Sequence, residues 1–354
     1  MYSEFIDKFG AKIIDDNILK RIEEISGEKP HKFLRRGIFY AHRDFEKILD
    51  MYDRGEEFYL YTGRGPSNNL HIGHIIPFEF TAYLQRIFNV KVVIQITDDE
   101  KYFTRDLDQE TINQYADDNI IQIMKTGFIP EKTFIFKNME YIGTLYHNIC
   151  RIQKILKLVT VGKTFGFIGN NDQDELKITD KDINMGAVSF CPIQMAPCFS
   201  SSFPDFFGKN SKLMCLIPCA IDQDPYFRLV RDIAEKLGEN KPAMIYSKFI
   251  PSLTSNEKMS SSVHNTAIFI TDDMNIVKKK IYASLSGGGD TKELHRKNGA
   301  NLEVDVAYQY LSILIDNDDE LVEITDKYKS GVMLTGELKN RTIDVVMDVM
   351  ERYK

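Results

Sequence analysis

EFYLYTGRGPSNNLHIGHIIPFEFTAYLQRIFNVKVVIQI, residues 57–96, decides the fold. Its two ends, EFYLYT (57–62) and KVVIQI (91–96), are short runs of β-branched, aromatic and aliphatic residues. Near-continuous apolar runs of that length suit strands buried on both faces of a parallel sheet. Between them Gly63, Gly65 and Pro66 spell a turn, and an apolar helical stretch begins near His71. TFIF (133–136), LMCLIPC (213–219) and AMIYSK (243–248) repeat the strand texture, with helical stretches between them. The expectation is an α/β fold: a doubly wound, parallel-sheet (Rossmann-like) catalytic domain with its ligand cleft at the carboxyl ends of the strands.

Outward from that frame the texture changes on both sides. Residues 1 to about 50 read as helical and amphipathic. NILKRIEEIS places apolar residues at 18, 19, 22 and 25 before Gly27 and Pro30 stop it. HKFLRRGIFYAHRDFEKILDMYDRG follows, with Asp44 as a helix-start signal ahead of Ile48, Leu49 and Met51. Past residue 265 strand signals fade, and MNIVKKKIYASLSG, VDVAYQYLSILID, DELVEITDKYKS and TGELKNRTIDVVMDVMERYK all carry helical spacing. The organisation expected is an N-terminal helical extension (1–55), the catalytic domain (56–264) and a C-terminal helical domain (265–354).

The 354 residues, 43% hydrophobic and 27% charged, describe an ordinary globular chain. No apolar run approaches the roughly 20 residues that span a bilayer, and the first residues lack the apolar core of a signal peptide. A cytoplasmic, non-membrane protein is expected. Five cysteines form no CxxC pair, so no metal site is expected, and Cys215 and Cys219 read as small hydrophobes in LMCLIPCA. A net charge of −7 disfavours a wholly basic nucleic-acid binder but permits a local basic patch.

The chemistry is carried by three motifs. In LHIGHIIP, His71 and His74 flank Gly73 at a helix start, where free N–H groups and the positive dipole end suit phosphate. Two imidazoles one turn apart can add donors to a phosphoryl group gaining charge, while Gly73 leaves room for a base or ribose. Alone, the pair could equally be histidines capping a surface helix. In TSNEKMSSS, Lys258 lies in a small-residue loop and can grip triphosphate oxygens. In LIPCAIDQDPYFRLVRD, Asp222, Gln223 and Asp224 follow a strand, where the cleft should lie.

HIGH followed by KMSSS resembles the paired signatures of class I aminoacyl-tRNA synthetases. AIDQ resembles the motif of tryptophanyl-tRNA synthetases of eukaryotic and archaeal type, and so do YTGRGPS, VIQITDDEKYF, IQMAPCFSSSFP, HKFLRRGIF, SGGGDT, HRKNGAN and GVMLTGELK. The resemblance spans almost the whole chain. Members of that family often carry a further N-terminal segment ahead of the part matched here.

The resemblance implies a catalytic set of His71, His74, Lys258 and Gln223. It implies ATP contacts from Arg64, Gly65, His71, Gly73, His74, Lys101, Gln223, Lys258, Met259 and Ser260. One departure from the general class pattern is Ser261 in place of a second lysine. Phosphate charge must then be met by Mg²⁺ arriving with the nucleotide, by Lys101 or by Arg64. Indole offers one N–H donor and no acceptor, so its pocket needs a buried acceptor. The family's indole contacts fall on Tyr61 and Gln95, and those around the α-amino group on Glu100, Gln194 and Gln223.

The implied substrates are L-tryptophan, ATP and tRNA(Trp), and the implied assembly is a homodimer with tRNA lying across both subunits. The nearest rival is a tyrosyl-tRNA synthetase, whose phenol-binding aspartate would fall on Pro197, which has no side-chain acceptor. A nucleotidyltransferase sharing HxGH would lack the helical domain, and an inactive paralogue would not be expected to keep His71, His74 and Lys258. Within SGGGDTKELHRKNGAN, Asp290 is expected to accept from cytosine at the first anticodon position. The family's arginine position there is Gly289, so Lys292 or the run Lys278, Lys279 and Lys280 would substitute. The alternative is that Asp290 caps the helix starting near Thr291.

Overall fold

The computed structural model describes residues 6, 10–170, 176–178, 183–254 and 266–353. Nine strands are present among them: β1 (Lys12–Ile13), β2 (Phe39–Arg43), β3 (Phe58–Arg64), β4 (Lys91–Ile96), β5 (Thr133–Lys137), β6 (Ile168–Asn170), β7 (Leu176–Ile178), β8 (Met214–Ala220) and β9 (Ala243–Ser247). Seven form one sheet in the order β1-β2-β9-β8-β3-β4-β5, and β6 pairs with β7 as a small hairpin. From β9 to β5 every pairing is parallel. These five are the strands expected from the apolar runs. The chain winds outward from β3 through β4 to β5, then returns to β8 and β9 on the other side. The switch between β3 and β8 opens a crevice at the strands' carboxyl ends, where such sheets bind ligands.

Strand alternation sorts the sheet's residues into two cores. Phe58 and Leu60 of β3, Ile94 of β4 and Leu216 of β8 pack with helix Ile72–Phe88 and with the C-terminal helices. Tyr59 and Tyr61, Val93, and Cys215 and Cys219 face the other side, against helices Asn138–Ile155, Met185–Met195 and Asp224–Ala234. Cys191, Cys198, Cys215 and Cys219 are buried free thiols, so the reading of Cys215 and Cys219 as small hydrophobes holds. Burial pushes the Cys191 thiol up to about 12, which keeps it protonated and inert.

The N-terminal residues are not wholly helical. Helix Asp16–Ser26 starts under an Asp15 cap and stops at left-handed Gly27, as the pattern indicates. FYAHR, however, is β2, lying antiparallel against β9 with β1 on its far edge. Its first four residues are buried, so no polar alternation marks it as a strand. Asp44 does precede helix Phe45–Asp53, but in a left-handed conformation and without a side-chain cap. Its carboxylate instead pairs with Arg231 at 2.8 Å.

Beyond residue 265 the described residues form helices Met274–Tyr282, Lys292–Asn298, Val306–Leu314, Asp318–Lys329 and Thr335–Tyr353. All but the short helix Lys292–Asn298 contribute to a core shared with one face of the sheet. HKFLRRGIF supplies the clasp. Lys32 donates to the Leu314 carbonyl at 2.7 Å, and Arg36 to those of Ser312 and Ile315 at 2.9 and 2.7 Å. Cations therefore meet the carbonyl end of helix Val306–Leu314, where its dipole is negative. Arg35 and Arg36 also share the Asp318 carboxylate.

Candidate active site

The crevice is a cavity of about 660 Å³ at the carboxyl ends of β3, β4, β8 and β9. Tyr61, Arg64, Gly65, His71, Gly73, His74, Gln95, Glu100, Lys101, Gln194 and Gln223, expected from separate stretches of sequence, all line it. Lys258, Met259 and Ser260 lie outside the described residues. The chain flanking that segment is pinned beside the histidines: Leu253 N–H donates to the Thr266 carbonyl at 3.0 Å, and Ile72 N–H to the Ile268 carbonyl at 3.1 Å.

One end of the cavity is cationic and helix-tipped. His71 occupies the cap position of helix Ile72–Phe88, and its ring stacks on that of His74 at 3.4 Å between centroids. His74 Nδ1 accepts the His71 backbone N–H at 3.3 Å, which leaves the proton of a neutral imidazole on Nε2. A Cβ on Gly73 would come within 3.1 Å of the His71 ring, so the missing side chain makes room for that imidazole, and Gly73 itself lines the cavity. Gly65 plays a similar part: a Cβ there would lie 2.3 Å from Lys101 Cε and 2.9 Å from Glu100 Oε2. Its missing side chain lets Lys101 and Glu100 lie across the turn.

Arg64 donates to the Gly65 carbonyl at 3.0 Å and to Ser67 Oγ at 2.7 Å. Its Nη1 is buried with no hydrogen-bond partner among the described residues. Burial pulls this guanidinium down to about 9, still protonated at neutral pH. An anion in the cavity would offset that desolvation. Asn119, silent in the sequence, holds the turn by accepting from Ser67 N–H at 3.1 Å and donating to its carbonyl at 2.9 Å.

The other end is apolar with a polar floor. The Tyr61 hydroxyl donates to Gln95 Oε1 at 2.5 Å and lies 3.0 Å from the Gln194 carbonyl. Gln95 Nε2 donates to Asn138 Oδ1 at 2.8 Å and to the Ile193 carbonyl at 3.2 Å. Gln194 Nε2 reaches Gln223 Oε1 at 2.8 Å, joining two expected contacts. Glu100 Oε2 accepts from Thr97 at 2.8 Å. Behind the floor, burial raises the Asp99 carboxyl to about 6 against hydrogen bonds that lower it, and burial raises Asp98 too.

Three expectations need correction. Asp224 does not join Asp222 and Gln223 in the cavity lining. It is buried behind them, accepting from Tyr246 at 2.5 Å and lying 3.4 Å from Arg43 Nε. Helix Lys292–Asn298 is capped by Thr291, not by Asp290, which stands exposed. In the run 278–280, Lys280 turns inward to Asp272 at 2.5 Å beneath Phe269, leaving Lys278 and Lys279 exposed. Gly289 is also fixed by packing, since a Cβ there would meet His295 N at 2.6 Å. The sequence reading also missed Lys248, at the end of the AMIYSK run, and Tyr226, three residues after Gln223 in the same motif, both of which line the cavity.

Comparison with known proteins agrees along the whole chain. The family profile described as tRNA synthetases class I (W and Y) matches residues 53–351. The Arabidopsis thaliana protein named cytoplasmic tryptophan–tRNA ligase is 47% identical over 357 residues, covering 100% of this chain and 86% of its own length. The Homo sapiens protein of that name is 46% identical over 359 residues, covering 100% of this chain and 74% of its own. A tryptophanyl-tRNA synthetase structure from Plasmodium falciparum superposes with a TM-score of 0.90 at 44% identity, covering 99% of this chain and 92% of that one. One from Encephalitozoon cuniculi, solved bound to tryptophan, gives 0.87 at 40% identity, covering 99% and 92%. With the cleft at the switch of a parallel sheet, its histidine-tipped helix and these matches along its whole length, the chain belongs to the class I tRNA synthetases (W and Y).

Proposed function

We propose that this cleft activates L-tryptophan with ATP and passes it to tRNA(Trp), the activity named for its curated relatives. The observation that carries the choice of tryptophan is the buried Tyr61–Gln95 pair at 2.5 Å on the cavity floor. Both oxygens keep lone pairs for the single N–H of indole. Pro197 offers no side-chain acceptor for a phenol, and its carbonyl is taken by the Tyr59 hydroxyl at 2.7 Å. A pocket built to pair a substrate's polar group can reject the analogue lacking it by about 10⁴–10⁵.

The reaction we assign has two steps. The tryptophan carboxylate attacks the α-phosphorus of ATP in line, forming tryptophanyl-adenylate and releasing pyrophosphate. A hydroxyl of the 3′-terminal ribose of tRNA then attacks the carbonyl carbon and releases AMP. No side chain acts as covalent nucleophile, so catalysis rests on positioning and charge stabilisation. Nε2–H of His74 and the Arg64 guanidinium meet phosphate oxygens, with Lys101 and Lys258 as the further cations. Gln194 and Gln223, linked at 2.8 Å, hold the region around the amino group beside Glu100. Among the described residues no group of three or more His, Cys, Asp or Glu side chains is arranged to hold a metal ion. Mg²⁺ in this reading enters on the nucleotide and shields its phosphates.

Residues 265–354 serve as the anticodon-binding domain, with exposed Asp290 toward the first anticodon base. Two chains pair as a homodimer in the cytoplasm, the compartment in the relatives' names. Among the described residues no helix is long and apolar enough to cross a membrane. The deciding experiment is ATP–pyrophosphate exchange with each standard amino acid. Tryptophan alone should drive it strongly, and equal rates with tyrosine would overturn the assignment.

A further inference from the structure

We propose that Asn138 and Asp99 are positioning residues that set the hydrogen-bonding polarity of the indole pocket, forcing Gln95 to present its oxygen rather than its amide N–H to the substrate. The inference rests on the reading of Tyr61 and Gln95 as the indole-facing groups. Four buried side chains form one file: Asp99, Asn138, Gln95 and Tyr61. Asn138 Nδ2 donates to Asp99 Oδ1 at 2.7 Å, Gln95 Nε2 to Asn138 Oδ1 at 2.8 Å, and the Tyr61 hydroxyl to Gln95 Oε1 at 2.5 Å.

The two middle members are primary amides, and an amide turned end for end keeps its shape while exchanging donor for acceptor. Nothing within the pair Asn138–Gln95 chooses a direction. The choice comes from the end of the file. An ionised carboxylate accepts and cannot donate. Asp99 Oδ1 also takes the Glu100 backbone N–H at 2.8 Å, which fixes that oxygen in place. Asn138 must then turn its NH₂ toward Asp99 and its oxygen toward Gln95. Gln95 in turn must give its NH₂ to Asn138, and its oxygen is left for Tyr61 and the pocket. The Ile193 carbonyl, 3.2 Å from Gln95 Nε2, is also acceptor-only and pulls the same way at longer range. Reversing the file would set the Asn138 oxygen against the Asp99 carboxylate, which would lose its side-chain donor, and the Gln95 oxygen against the Ile193 carbonyl. Buried groups mispaired in this way are costly.

The test compares L-tryptophan with its isostere in which sulfur replaces the indole N–H, using pyrophosphate exchange on the full-length enzyme. The wild type should favour tryptophan strongly, since only tryptophan supplies a donor to the pocket. Asn138→Ala should shrink that preference by about 10-fold, through a higher KM for tryptophan with kcat changed little. The KM for the sulfur analogue should move far less. Asn138→Asp should keep the preference, because its carboxylate still accepts from Gln95 while any shared proton sits between it and Asp99. Where Asn138→Ala is too unstable to assay, the near-isosteric Asp99→Asn carries the test, with the preference narrowing in the same direction. A rise in KM that is equal for both substrates, or a preference lost in Asn138→Asp as well, would overturn the polarity argument and leave Asn138 as packing. A wild type that fails to use tryptophan would instead overturn the function, a separate outcome.

Discussion

Replacing Tyr61 with phenylalanine removes one oxygen from the floor of the pocket and little else. Its ring is buried among the core residues of one sheet face and makes an edge contact with Phe227 at 5.9 Å, both of which phenylalanine retains. Without ligand, Gln95 Oε1 loses its 2.5 Å donor and the Gln194 carbonyl its 3.0 Å neighbour. Each buried acceptor left unsatisfied costs about 1–3 kcal/mol, and the floor is partly open to the cavity, so a stability loss of about 1–2 kcal/mol is expected. Bound tryptophan repairs part of that damage, because its N–H can still reach Gln95 Oε1. The KM for tryptophan should therefore rise only about 3- to 10-fold, less than the stability loss alone suggests. The contact is the same in ground and transition states, so kcat should stay within about 3-fold. Pyrophosphate exchange at varied tryptophan, with thermal melting alongside, reads both quantities. An unchanged KM with an unchanged melting temperature would refute the placement of the Tyr61 hydroxyl against indole.

Three further outcomes are expected. His74→Ala, and equally Lys258→Ala, should slow single-turnover adenylate formation by about 10²-fold, the scale of losing one preorganised contact, while tryptophan binding without ATP barely changes; a wild-type rate in both would remove them from the catalytic set. Asp290→Ala should weaken tRNA charging and blunt preference for the cognate first anticodon base, yet leave tRNA-independent exchange intact. Since Thr291 does the capping, folding stability should stay within about 0.5 kcal/mol, and full retention of anticodon preference would send the search elsewhere in 265–354. Asp318→Ala should cost about 1 kcal/mol, a figure kept small by the exposure of this carboxylate. Burial opposes its ionisation, but hydrogen bonds from Arg36 and Arg35 hold it below the usual carboxylate range. Its contribution should be complete above about pH 4 and fade as pH falls through the lower folded value, so melting curves of variant and wild type should converge in acid.

The parallel strands were legible because a strand buried on both faces must be apolar throughout, and five such runs stand out between helical stretches. The same property hid β2, whose FYAHR run sits among amphipathic helices and shows no alternation to betray it. Hairpin β6–β7, with three residues in each strand, is too short to carry a period. Within the site, the groups proposed to meet phosphate sit in compact motifs, so the sequence marks them as candidates. Asn138 and Asp99 could not be found that way, because their partners lie 43 and 39 residues away and nothing local marks either residue. Glycines carry a related ambiguity. A glycine announces that something comes close, without saying what. At Gly73 and Gly65 the close protein neighbours are His71 and Lys101, and at Gly289 they are His295 and Leu294.

The pocket's selectivity traces to the register of two strands. Tyr61 lies opposite Val93, and Gly63 opposite Gln95, in the parallel ladder of β3 and β4. Paired residues in such a ladder share a face, so Tyr61 and Gln95 project into the same side of the sheet two positions apart. For Gln95 to reach back to the Tyr61 hydroxyl, the position between them on β3 must be empty. A Cβ on Gly63 would sit 2.5 Å from the Gln95 carbonyl oxygen and 3.1 Å from its Cβ. The glycine read from the sequence as part of a turn thus lets β4 bring Gln95 close alongside β3. A slip of one residue between β3 and β4 would send Gln95 to the opposite core and leave indole facing only apolar side chains. On the proposed reading, substrate choice is therefore a property of sheet pairing first and of the individual polar residues second, since a one-residue slip would keep this tyrosine and glutamine from meeting.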